Sequence, residues 1–76
     1  MICEACRMRE ATDKHHIVSR GAGGVNDEYN ILHLCRQCHT IFHARGWVSF
    51  GVRFFHLQAR IKLARETQGK HTEARL

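Results

Sequence analysis

Two cysteine pairs constrain this chain more than any other feature: Cys3-Glu4-Ala5-Cys6 and Cys35-Arg36-Gln37-Cys38. A C-x-x-C knuckle turns two sulfurs toward one ion, and two knuckles complete a tetrahedral four-thiolate zinc site. A chain of 76 residues needs such a staple. A domain of that size buries only about 60% of the surface its unfolded chain exposes, so metals, disulfides or partner chains usually supplement the apolar core. No export signal is apparent, because Cys3 and Glu4 follow Met1 almost at once with no apolar run. The expected location is therefore the cytoplasm, where disulfides rarely persist. A structural Zn²⁺ on Cys3, Cys6, Cys35 and Cys38 ranks ahead of a disulfide framework or a redox dithiol. Cys35 to His39 also spells a c-type haem attachment motif, but that chemistry needs export and leaves Cys3 and Cys6 without a role. Residues 7–34 separate the knuckles, a longer insertion than a zinc ribbon carries.

Composition narrows the class. The chain is 43% hydrophobic and 25% charged, which is globular rather than disordered. Its length excludes a TIM barrel, a full dinucleotide-binding domain and a kinase. No stretch approaches the roughly 18 apolar residues of a membrane helix. Twelve Lys and Arg against seven Asp and Glu give +5 at pH 7, a balance that suits an anionic partner such as nucleic acid. Four Cys and seven His make transition-metal ligands the compositional anomaly.

Punctuation and periodicity set out the expected elements. His16-Ile17-Val18 is a short β-prone run, Gly21 to Gly24 with Asn26 and Asp27 a loop, and Ile31 to Leu34 a second strand. A loop of this length between two strands is typical of a functional one. A helix is expected from Arg36 to about Arg45, stopped by Gly46. Ser49 offers a cap for a second helix over about 49–67, whose Phe50, Phe54, Leu57, Ile61 and Ala64 form an amphipathic stripe facing the core. One domain over 1–67 is expected, with a polar, frayed tail over 68–76.

The histidines fall on this scaffold in a pattern. His39 and His43 are four apart on the expected helix and share one face, close enough to grip one ion. Cys38 lies about 100° round the helix from His39, so sulfur and imidazole serve different metals. His15 and His16 are neighbours on a strand and point to opposite faces. One can join His39 and His43 on the metal; the other can stand beside that site without ligating.

His15-His16-Ile17-Val18, then Asn30, then His39 and His43, flanked by the two cysteine pairs, resembles the His-Asn-His (HNH) endonuclease family in its zinc-stabilised branch. The resemblance covers Cys3 to Gly46 and implies a small α+β protein of the ββα-metal fold, with a structural four-cysteine zinc site and an additional C-terminal amphipathic helix. It implies His16 as general base and Asn30 as a catalytic residue orienting it. It also implies His15, His39 and His43 as ligands of one catalytic divalent metal (Mn²⁺, Co²⁺, Ni²⁺, Mg²⁺ or Zn²⁺). Many family members have Asp where His15 stands; the His resembles that of the bacterial colicin DNases. The implied activity is metal-dependent hydrolysis of DNA, by nicking or double-strand cleavage, leaving 5′-phosphate and 3′-hydroxyl ends. Members are often phage-borne or act in restriction, homing or packaging, so a homodimer or a larger phage or restriction assembly fits beside DNA as partner, with no membrane.

The chemistry agrees with that reading. Phosphodiester hydrolysis needs a nucleophile, a base and positive charge on the developing phosphorane oxygens. A neutral imidazole can be the base. Three neutral imidazole ligands leave the metal's charge undiminished. The thiolates are offset by two divalent ions, so the loaded protein stays basic. Arg20 in the long loop and Arg45 at the end of the metal-binding helix are the candidate phosphate contacts. His33 reads as a packing residue, His56 and His71 as surface residues, and Trp47 as core rather than a base-stacking platform. The alternative function is a non-catalytic zinc module that binds nucleic acid or protein. His16 separates the two, because such a module has no use for a base beside an open metal site.

Overall fold

A computed structural model describes residues 1–74, with side chains described through residue 67. Strand β1 (Asp13–His16) pairs antiparallel with β2 (Ile31–Leu34), in the register Asp13 to Leu34, Lys14 to His33, His15 to Leu32 and His16 to Ile31. Helix α1 (Arg36–Arg53) follows β2 directly, and α2 (Gln58–Ala74) closes the fold. This is a small α+β, ββα-metal architecture with an added C-terminal helix. No described helix is long and apolar enough to cross a membrane.

The core forms where the strand pair, α1 and α2 meet. Ile17, Leu32, Leu34, Phe42, Phe50, Leu57, Ile61 and Ala64 are buried together with Cys3, Cys35 and Cys38. Phe50 is fully enclosed, its ring 4.7 Å from those of both Phe42 and Phe54. The N-terminal knuckle folds back on itself: the Cys3 N–H donates to Arg9 O at 2.8 Å, and the Arg7 N–H to Cys3 O at 3.0 Å. Glu4 ties the knuckle to both other layers. Its carboxylate accepts from the His33 N–H at 2.7 Å and pairs with Arg60 on α2, which also donates to Ile31 O at 2.7 Å.

The helical region differs from expectation in two places. Gly46 does break α1, with φ 87° and ψ 168°, a combination essentially reserved for glycine. Helical turns nevertheless resume at once, before Ser49 can act as a cap. The single helix expected over about 49–67 is interrupted: Phe54 adopts φ −113° and ψ 72°, and a short turn (Phe55–Leu57) leads into α2. A continuous helix carries its stripe in a straight line, whereas the bend lets Phe50 and Ile61 pack into one core. The expected tail from residue 68 coincides with the last turns of α2 up to Ala74. Its side chains and residues 75 and 76 lie outside the description.

Candidate metal centre and active site

The first site grows from the two knuckles. One sulfur pair comes from the N-terminal turn and the other from the start of α1, where Cys35 is the N-cap and its Sγ accepts the Cys38 N–H at 3.4 Å. The four thiols are free of disulfides and lie within 4.8 Å of one another, with Cys6 Sγ 4.0 Å from Cys35 Sγ. A tetrahedral zinc with bonds of about 2.3 Å requires sulfurs about 3.8 Å apart, so the cluster fits the ion. Electrostatics agree. Backbone N–H groups of Met8 and Arg9 pull the Cys6 thiol down to about 6. Against its burial, those of Cys35, Cys6 and Ala5 hold Cys3 below its ordinary value. Burial and then the neighbouring thiols Cys35 and Cys3 push Cys38 up. Four crowded thiolates cannot coexist without a cation between them, and a bound dication reverses that penalty.

The second site lies where β1 faces α1. Residues two apart on a strand share a face, so Asp13 and His15 both point to the helix. The His15 ring packs 4.0 Å from that of Phe42 and 5.0 and 5.1 Å from those of His39 and His43. The ligand atoms of His15, His39 and His43 lie within 4.8 Å of one another. His15 Nε2 is buried and, among the described residues, has no hydrogen-bond partner. His39 and His43 bring their Nε2 atoms to 3.1 Å. The Asp13 carboxylate accepts from His39 Nδ1 at 2.7 Å, so the proton sits on Nδ1 and His39 Nε2 presents a lone pair. An orphaned buried nitrogen beside a converging lone pair fits a divalent cation. Burial, then the charges of His39, His43 and His16, lowers His15 to about 4, keeping it neutral and able to ligate. The hydrogen bond from His39 holds the Asp13 carboxyl below its ordinary value, assisted by Thr12 and Arg36.

His16, the last residue of β1, lines one hollow with His15, His39 and His43. Its Nε2 lies 3.0 Å from Asn26 Oδ1. That oxygen can only accept, so Nε2 carries the proton and Nδ1 is the basic nitrogen. Asn26 reaches the ring because the loop is pulled tight behind it. Gly24 N–H donates to Ser19 O at 2.9 Å, and a Cβ on Gly24 would fall 1.8 Å from Val18 O. Only glycine fits there.

Asn30 was expected to orient the base. It is fully buried, and its side chain clamps the backbone just beyond His16: Oδ1 accepts the Val18 N–H at 2.9 Å, while Nδ2 donates to Val18 O at 3.1 Å and Val25 O at 2.7 Å. The side chain that meets the ring of His16 is that of Asn26. Arg20 lines a hollow of about 220 Å³ with Lys14, Ser19 and the four histidines 15, 16, 39 and 43. Arg45 lines a different hollow with Ile41, Val48 and Arg53. His33 is half-buried with Nε2 3.4 Å from Glu28 Oε1, and exposed His56 donates to Glu4 O at 2.8 Å; the His71 side chain lies outside the description.

Sequence reasoning missed Asp13 and Asn26. Asp13 had a usable signal, its position two residues before His15 on a strand. Asn26 had none, because only the folded loop brings it to His16. A family model described as HNH endonuclease matches residues 3–45, more than half of the chain. No curated protein and no solved structure matches it.

Proposed function

The chain belongs to the HNH endonuclease family, and from that membership we propose that it is a metal-dependent endonuclease hydrolysing DNA phosphodiester bonds. The observation that supports the reading is one hollow that joins the three imidazoles of His15, His39 and His43 to His16, whose Nε2 is engaged by Asn26. His16 Nδ1 takes the proton from the attacking water as its oxygen bonds to phosphorus. The bond from phosphorus to the 3′ oxygen breaks, the oxygen keeps the electron pair and takes a proton from solvent water, and the ends are 5′-phosphate and 3′-hydroxyl. Asn26 holds the base in one tautomer, and Asn30 fixes the strand end that carries it. Asp13 keeps His39 oriented with its lone pair outward. His15, His39 and His43 would hold a divalent ion, which would supply positive charge to the phosphate and the leaving oxygen. Cys3, Cys6, Cys35 and Cys38 would hold a Zn²⁺ that ties the two knuckles together.

Nicking of supercoiled plasmid, with and without added divalent ions, tests this. His16→Ala should lose roughly 10² to 10⁴-fold in rate, the usual contribution of a general base, with zinc content, folding and DNA affinity retained. Wild-type cleavage by His16→Ala refutes the base assignment. A wild-type protein that binds DNA but cuts with no metal is a zinc-binding module instead.

A further inference from the structure

A second hollow, of about 270 Å³, adjoins the histidine hollow and shares His15, His16, Ser19 and His43 with it. It runs on past Phe42 and Gly46 to Trp47 and Arg65. Among the described residues, no carboxylate lines either hollow. The break at Gly46 is what turns Trp47 into this path, one residue after the helical segment that carries His39 and His43 ends. Trp47 is half-buried against the core, and the exposed Arg65 of α2 lies over its ring, 4.9 Å from the centroid.

A guanidinium stacked on an indole is held flat by cation–π attraction, with its N–H edge directed outward. That edge suits two phosphate oxygens. Because Arg65 covers the indole face, Trp47 acts as the seat of the arginine rather than as a platform for a base. We propose that Arg65, positioned by Trp47, contacts a phosphate of the bound DNA strand flanking the phosphate at the histidine site. This rests on the nuclease reading above and adds to it a substrate contact from outside residues 3–45.

The test measures affinity for a labelled duplex of about 20 base pairs across a salt series, in a His16→Ala background so that the duplex stays whole. One lost phosphate contact lowers the slope of log affinity against log salt by about 0.9 and weakens binding on the order of fivefold to tenfold near 0.1 M salt. Arg65→Ala should show both. Trp47→Leu should show a smaller loss that is not additive with Arg65→Ala, and Trp47→Phe, which keeps a ring, should restore most of it. In the cleaving protein, Arg65→Ala should raise KM for DNA with kcat unchanged. An unaltered salt slope for Arg65→Ala, or additive losses in the double variant, overturns the proposal. An altered slope in a protein that never cuts sinks only the nuclease reading, cutting with an unaltered slope sinks only this contact, and a wild type without DNA affinity sinks both.

Discussion

The two donor clusters are alike in span and opposite in enclosure. Each brings its ligand atoms within 4.8 Å. In the sulfur cluster Cys3, Cys35 and Cys38 are buried, and there are four donors, the number a tetrahedral ion takes. In the imidazole cluster only His15 is buried; His39 is half-exposed, His43 is exposed, and there are three donors among the described residues. A closed tetrahedron belongs to a structural ion, and an open one to an ion that must accept substrate and water. The sulfur cluster joins the N-terminal turn to α1. The imidazoles sit on a strand and helix that the rest of the fold already holds.

Breaking the sulfur cluster should have the largest effect. Structural zinc contributes about 10–16 kcal/mol in zinc-finger peptides, more than a domain this small has to spare. Zinc removal by a strong chelator, or Cys38→Ser, should therefore unfold the chain cooperatively by circular dichroism. A zinc-free protein that keeps its fold would erase the contrast between the sites.

Breaking the imidazole cluster should leave the fold in place. His39→Ala should melt close to wild type yet lose nicking, with partial rescue by excess metal. Asp13→Asn should weaken metal affinity or activity by about 10- to 100-fold, as loss of a group that orients a ligand does. Calorimetric metal titration beside thermal melts separates these effects; an unfolded His39→Ala would show that both clusters are structural.

Acid should separate the clusters next. Burial holds His15 at about 4 instead of 6.5, so as pH falls the unfolded chain takes up the proton first. The stability this neutral His15 supports is complete above about pH 6.5 and lost progressively toward about pH 4. Without a metal on the histidines the loss should reach about 2 kcal/mol by pH 5, and His15→Leu should flatten that part of the profile. Melts with zinc content checked at each pH decide it, and equal slopes in the two proteins would count against a buried neutral His15.

The smallest effect concerns the choice of ion. Imidazole nitrogens suit Mn²⁺, Co²⁺ or Ni²⁺ better than Mg²⁺, which prefers oxygen. Half-activating concentrations in the nicking assay should be about tenfold lower for the former than for Mg²⁺. Equal values for Mg²⁺ and Mn²⁺ would argue that imidazoles do not hold the catalytic ion.

The ligand sets were legible because each pair lies within one local segment. The C-x-x-C spacing and the four-residue step from His39 to His43 follow from local turn and helix geometry, and adjacency on a strand separates His15 from His16. The second strand could be read to its ends, Ile31 and Leu34. The break at Phe54 could not, because the step pattern from Phe50 to Ala64 is also that of one unbroken helix, and the shared core selects the bend.

Residue chemistry and local spacing therefore determined by themselves which side chains could form the two donor clusters. Tertiary structure decided who attends them: Asp13 on His39, Asn26 rather than Asn30 on the ring of His16, and Arg65 over Trp47. The reason is one of range. Backbone geometry sets the separation of residues a few positions apart in a regular element. Partners from different elements meet only where packing and loop closure bring them together, and here a glycine that alone fits against Val18 and a glycine that alone turns α1 shape two of the three, Asn26 on His16 and Arg65 over Trp47.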